Sequence, residues 1–180
     1  MKYTDLSFDE MREVILRVQA ENGLQLQIIE KDWWVMSVLK ALFSLPYSEH
    51  ISFKGGTSLS KCWSLIKRFS EDVDIAIDRG YLGFDGTLSK TQISDKLRRA
   101  ACTFVREKLQ FDLRNKLIEN GIAEDKFKIN VNITPVTTTD PEIIEVEYQS
   151  VFNHLPYIRS KVIVEVSGRS MNEPVTTVGI

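Results

Sequence analysis

Ile51-Ser52-Phe53-Lys54, a short run suited to a strand, leads without a spacer into Gly55-Gly56 and then into a helical segment from Thr57 to about Lys67. Two glycines in succession let the backbone turn sharply and let a ligand approach without meeting a Cβ. The N–H groups at the start of the following helix, at the positive end of its dipole, suit a phosphate. Thr57 and Ser58 add hydroxyl donors at the same place. On its own, Gly-Gly before a helix is often no more than a turn.

The next strand supplies a second feature that changes the balance. Val73 to Ile77 alternates, and Asp72 and Asp74 stand two apart, so both carboxylates leave the strand on one face while Val73, Ile75 and Ile77 bury the other. Two like charges held that close are costly unless a cation neutralises them. Oxygen-only ligands favour Mg²⁺, which commonly binds through one or two carboxylates plus substrate phosphates. A solitary Asp-x-Asp on a strand is more often a solvated face. Here the turn and the pair explain each other, the turn holding phosphate and the carboxylates holding the metal that bridges it. A two-metal arrangement needs a third acid. Glu165, isolated among Val162, Ile163, Val164 and Val166, is the preferred candidate. Glu145 and Glu147, in an acidic stretch that reads as a solvated edge, are the alternatives.

Around this block the chain reads as one domain over residues 1–180, long enough to bury a sizeable core. Ser7-Phe8-Asp9-Glu10 has the form of a capping box, followed by Met11, Val14, Ile15 and Val18 at helical spacing. A second helix covers about Gln25 to Ser44 and stops before Pro46. Ser89-Lys90-Thr91-Gln92 caps a long helix that runs to about Asn120 and closes at Gly121. Its expected apolar stripe is Ile93, Leu97, Ala100, Phe104 and Phe111. Strands follow at Lys128 to Ile133, Ile143 to Gln149 and Lys161 to Val166. This order predicts an α+β fold with a central mixed sheet flanked by helices. The formal net charge of −2 gives no global attraction to nucleic acid or membrane, so a polyanion must be met by a local patch. Lys96, Arg99, Arg106 and Arg114 fall along one flank of the long helix, where they either grip an RNA backbone or form a solvated face. Cys62 and Cys102 are far apart and form no CxxC, the usage of a reducing compartment. MKYTDLSFDE has no apolar signal-peptide core, and no apolar run reaches the roughly 18 residues of a membrane helix. A cytoplasmic location without membrane contact is expected.

Lys54-Gly55-Gly56-Thr57-Ser58-Leu59-Ser60-Lys61, with Lys67-Arg68-Phe69-Ser70-Glu71-Asp72-Val73-Asp74 after it, resembles the AbiEii/AbiGii toxin family of the DNA polymerase-β-like nucleotidyltransferase superfamily. Glu30-Lys31-Asp32-Trp33-Trp34-Val35 is similar to the family's upstream helix. Val164-Glu165-Val166-Ser167-Gly168-Arg169 is similar to its later acidic strand. The resemblance spans about Glu30 to Pro174. It implies a nucleotidyltransferase sheet with Mg²⁺ on Asp72, Asp74 and Glu165. It also implies triphosphate contacts from Gly56, Thr57 or Ser58, with Lys61 a candidate for a phosphate charge. The implied activity moves a nucleoside monophosphate from an NTP to an acceptor such as RNA or a tRNA end, within a toxin–antitoxin or phage-abortive system that supplies a cognate antitoxin. Family members are longer and carry a helical C-terminal part, which implies that these residues are the N-terminal part of a longer protein. Two other readings stay open: nucleotidyl transfer to a small molecule or protein, and an inactive module that binds nucleotide or antitoxin.

Several neighbours have plainer readings. Lys31 and Asp32 suit a structural ion pair or cap, and Trp33 and Trp34 suit the core. Arg68 either meets a triphosphate or pairs with Glu71. His50 and His154 have no ligand-spaced partner, so zinc is not expected.

Overall fold

Ser7 starts the first helix, α1 (Phe8–Asn22), through the expected reciprocal cap: its backbone N–H donates to the Glu10 carboxylate at 2.8 Å and its hydroxyl accepts from the Glu10 N–H. Gly23, left-handed at φ 68°, closes α1 by donating its N–H to the Gln19 carbonyl. The computed structural model describes residues 3–65, 72–132, 142–152, 159–169 and 175–179. The apolar stripe of α1 is thinner than its spacing suggests. Ile15 is buried, Met11 and Val18 are half-buried, and Val14 is exposed. α1 therefore lies outermost, packed along α2 (Leu26–Leu42). α2 is apolar over most of its circumference and buries Trp34, Val35, Val38, Leu39, Ala41 and Leu42. Trp34 stacks on Tyr148 with ring centroids 4.8 Å apart, while Trp33 is half-buried against the same core.

The sheet contains β1 (Ile51–Lys54), β2 (Asp72–Ile77), β3 (Phe127–Asn132), β4 (Glu142–Tyr148) and β5 (Lys161–Ser167), in the order β1-β2-β5-β4-β3. β2 and β5 run parallel, and the other three pairings are antiparallel. The expected mixed sheet is thus present, and each strand lies within a residue or two of its expected span; Ile133 lies outside the described residues. Strand alternation divides the sheet into two unlike faces. Val73, Ile75 and Ile77, Val162, Val164 and Val166, and Ile144, Val146 and Tyr148 join one core with the helices. The opposite face carries Asp72, Asp74, Glu145, Glu147 and Glu165.

α3 (Gly55–Lys61) is shorter than the segment expected to reach Lys67. Ser64 adopts a left-handed conformation at φ 52°, which ends any helical run, and Lys67 lies outside the described residues.

The long helix α4 (residues 92–119) begins at the expected cap, where the Ser89 N–H donates to Gln92 Oε1 at 2.8 Å and the Gln92 N–H returns to the Ser89 hydroxyl at 3.3 Å. It ends where Gly121, at φ 99°, donates its N–H to the Ile118 carbonyl. Its winding was not expected. Two π-helical stretches, Gln92–Leu97 and Val105–Leu109, alternate with α-helix at Arg98–Phe104 and Gln110–Glu119. The apolar residues that α4 buries most completely are Leu97, Ala101, Val105, Leu109, Leu113 and Leu117, one at every fourth position. In a regular α-helix of 3.6 residues per turn, a four-residue repeat rotates away by about 40° each turn. Wider i→i+5 turns remove that drift and keep the stripe on the sheet. The expected 3.6-residue stripe is corrected accordingly: Leu97 and Phe104 are buried, Ile93 and Ala100 are half-buried, and Phe111 is 55% exposed. No helix of the described residues is long and apolar enough to cross a membrane.

The winding of α4 has a direct test. Leu109→Ala, at a position with 0% exposure, should lower the unfolding free energy by about 2–5 kcal/mol. Phe111→Ala should change it by less than about 0.5 kcal/mol, as exposed substitutions do. Urea denaturation of the two variants measures both, and a larger loss at Phe111 would contradict this packing.

Candidate active site

Register across the sheet assembles the acidic residues. The parallel pairing of β2 with β5 sets Asp74 beside Glu165, and the antiparallel pairing of β1 with β2 sets Lys54 on the other side of Asp74. Residues paired across neighbouring strands share a face, so Lys54, Asp74 and Glu165 form a row across three strands. Asp72 lies two residues before Asp74 and shares its face. The electrostatics of Glu165 report the crowding. Its carboxyl is raised above the ordinary value of 4.5, first by burial, then by the charges of Asp74 and Asp72 and a hydrogen bond with Asp74; Lys54 opposes the shift.

The glycine turn is built against this row. Gly55 is left-handed at φ 72°, and a Cβ placed on it would stand 2.0 Å from Asp74 Oδ2. A side chain is thus excluded both by the backbone conformation and by the carboxylate lying on the bare Cα. Thr57, almost fully buried, donates its hydroxyl to the backbone carbonyl of Asp72 and ties the start of α3 to the start of β2. Ser58 is buried as well, and Gly56 is half-buried.

Lys61, expected to be available for a phosphate, forms an ion pair with Asp32 on α2. The structural reading of Asp32 is therefore the one observed, and its partner is Lys61. Glu30 is buried and accepts from the Ser150 hydroxyl at 2.5 Å and the Val151 N–H at 2.8 Å, which anchors the loop after β4. Arg68, Glu71 and His154 lie outside the described residues. His50 stacks on Tyr81, with Glu49 at 3.6 Å and Asp78 at 3.9 Å.

The acidic strand β4 is not the solvated edge that its composition suggests. It is interior, flanked by β5 and β3. Glu145 is paired with Lys161, and Glu147 is exposed opposite Lys161 and Lys128. Both point to the same face as Glu165, yet β5 separates them from β2. Most of the basic flank of α4 is committed too: Arg99 pairs with Asp95 at 3.0 Å, Arg106 with Glu142 at 2.7 Å, and Arg114 with Glu124, while Lys96 is exposed.

A cleft of about 1590 Å³ opens beside β1, lined by Trp33, Phe43, Phe53, Trp63, Lys54 and Ser58 among others. The three carboxylates do not line it. Lys54 belongs to both the cleft and the row. Among the described residues no group of three His, Cys, Asp or Glu side chains stands as a ready metal cage. Lys54 is the residue that the motif reading passed over. Its signal was its place as the last strand residue before Gly55, but its neighbour Asp74 becomes visible only with the register.

A family model described as "Nucleotidyl transferase AbiEii toxin, Type IV TA system" matches residues 37–180. Neither a curated protein nor a solved structure matches the chain.

Two expected outcomes follow from this geometry. Because the folded state raises the Glu165 carboxyl above its unfolded value, it binds the proton more tightly than the unfolded chain does. This group's contribution to the stability of the metal-free protein is therefore full at low pH and is lost as pH rises from the ordinary carboxyl range through the raised value. Glu165→Gln should raise the melting temperature of metal-free protein near neutral pH and lose that advantage toward pH 4. Equal differences at both pH values in thermal scans would remove this electrostatic assignment. Gly55→Ala should destabilise the fold by about 1–3 kcal/mol, as forced left-handed residues do. Chemical denaturation checks the value, and a neutral result would show that the turn accepts a side chain.

Proposed function

The chain belongs to the AbiEii nucleotidyl transferase toxin family of type IV toxin–antitoxin systems, and on that premise we propose that it moves a nucleoside monophosphate from an NTP to an acceptor hydroxyl of RNA, such as a tRNA end. The observation that carries this reading is the register pair Asp74–Glu165, with Asp72 on the same face and the Gly55 turn against Asp74.

The donor set fits Mg²⁺. The charges of Asp74 and Asp72 raise the cost of ionising Glu165, which is the mark of a cluster short of positive charge, and hard oxygen ligands are what this ion takes. Asp72, Asp74 and Glu165 would hold it, and when bound it supplies charge that stabilises the phosphoryl oxygens.

The chain's own residues divide the remaining work. The Gly55-Gly56 turn and the first N–H groups of α3 receive phosphate oxygens where a Cβ would obstruct them. Ser58 stands at the junction of this turn and the cleft. The Thr57–Asp72 hydrogen bond holds the turn at a fixed distance from the carboxylates. The acceptor oxygen forms a bond to the α-phosphorus, the bond to the bridging oxygen breaks, and pyrophosphate leaves. The acceptor's proton passes to a carboxylate of the cluster.

The family context implies a cognate antitoxin as partner. A second reading, transfer to a small molecule or a protein, draws support from the ion pairs that neutralise Arg99, Arg106 and Arg114. A catalytically inactive module that binds nucleotide or antitoxin is the third. Labelled NTP incubated with and without total RNA separates them. Label in RNA supports the first reading, label elsewhere supports the second, and label in neither supports the third.

Asp74→Asn should reduce labelling by about 10²–10³-fold, the loss seen when one group stabilising a transition state is removed. Its melting temperature should hold or rise slightly, since one of the crowded carboxylates loses its charge. Unchanged turnover with an unchanged melting temperature would end the assignment of Asp74.

A further inference from the structure

We propose that Lys54 receives a phosphate of the nucleotide, and that Lys54, not Lys61, carries the positive charge that the polyphosphate first meets. The proposal rests on the nucleotide-transfer reading above and names one binding residue within it.

Position is the first argument. Lys54 ends β1 in an extended conformation, φ −137° and ψ −169°, and so keeps its side chain on the face shared with Asp74 and Glu165. It is also the residue directly before Gly55, whose Cα lies against the Asp74 carboxylate. Cation, glycine turn and carboxylate therefore meet within one short corner of the sheet. Lys54 further lines the large cleft together with Ser58, while the carboxylates do not. An anion that enters from the cleft toward the acidic row passes Lys54 first.

Availability is the second argument. Lys61 is engaged by Asp32 and Lys161 by Glu145. Among the described residues Lys54 stands in no close ion pair, although its charge is felt at Glu165. An ammonium on the same face as a crowded carboxylate row, and beside the cleft, suits a ligand that brings more negative charge to the same place. A phosphate is such a ligand, and Lys binds it as a point charge.

The rival account makes Lys54 an internal counter-ion that only moderates the repulsion among Asp72, Asp74 and Glu165. Equilibrium binding tells the two apart without turnover. Inorganic tripolyphosphate and each of the four NTPs, at fixed Mg²⁺, are titrated calorimetrically into wild type, Lys54→Met, Lys54→Arg and Lys54→Gln, and melting temperatures are measured alongside. Lys54→Met and Lys54→Gln should each weaken tripolyphosphate and NTP by about tenfold or more, and Lys54→Arg should keep most of the affinity. Wild-type affinity in Lys54→Met or Lys54→Gln, with only a lowered metal-free melting temperature, would overturn the proposal and leave nucleotide transfer standing. Wild type that binds neither tripolyphosphate nor any NTP would overturn this proposal and the functional reading together.

Discussion

The parallel pairing of β2 with β5 is the constraint on which the site depends. In a sheet whose other pairings are antiparallel, this one contact brings Asp74 level with Glu165 and leaves Asp72 a pleat away. Side-by-side carboxylates oppose the pairing. What holds it is the reverse face of the same strands, where Val73, Ile75, Val164 and Val166 are almost fully buried against α2 and α4. Burying one such side chain is worth about 1.5–3 kcal/mol, so four exceed the repulsion of partly solvated charges. The core thus holds in place an acidic arrangement that its own electrostatics would loosen.

The consequence is a division between the two sides of the sheet. The helical side is apolar and closely packed, and it is shaped by α4's adjusted winding. The open side carries carboxylates and lysines in alternating company, some neutralised, as Glu145 is by Lys161, and some not. Glu142 shows the contrast. It belongs to the same acidic strand as Glu145 and Glu147 but turns inward, where Arg106 and the Cys102 thiol satisfy it; burial and that carboxylate push the thiol's own pKa up. An acidic stretch in the sequence therefore holds three different situations.

Much of this was legible in the residues alone. Alternation of Val73, Ile75 and Ile77 located β2 and the side taken by the carboxylates, because a strand's period of two leaves little choice. The caps at Ser7 and Ser89 located the starts of α1 and α4, because both ends of each hydrogen-bonded box lie within four residues. What was not legible depends on contacts between distant segments. Lys54 gains meaning only when β1 lies against β2, and Lys61 loses its freedom only when α2 brings Asp32 to it. β4 looked like an edge because composition reports polarity and says nothing of which strand is outermost. In α4 the assumed 3.6-residue period misplaced Phe111, because the helix adapted its winding to a repeat of four.

The hydrogen bond from Thr57 to the carbonyl of Asp72 joins two places that are fifteen residues apart in sequence. Geometry that is secured by such a direct bridge does not need the intervening stretch as a ruler. The spacing between turn and acids is set by a contact between them, not by the length of chain that separates them.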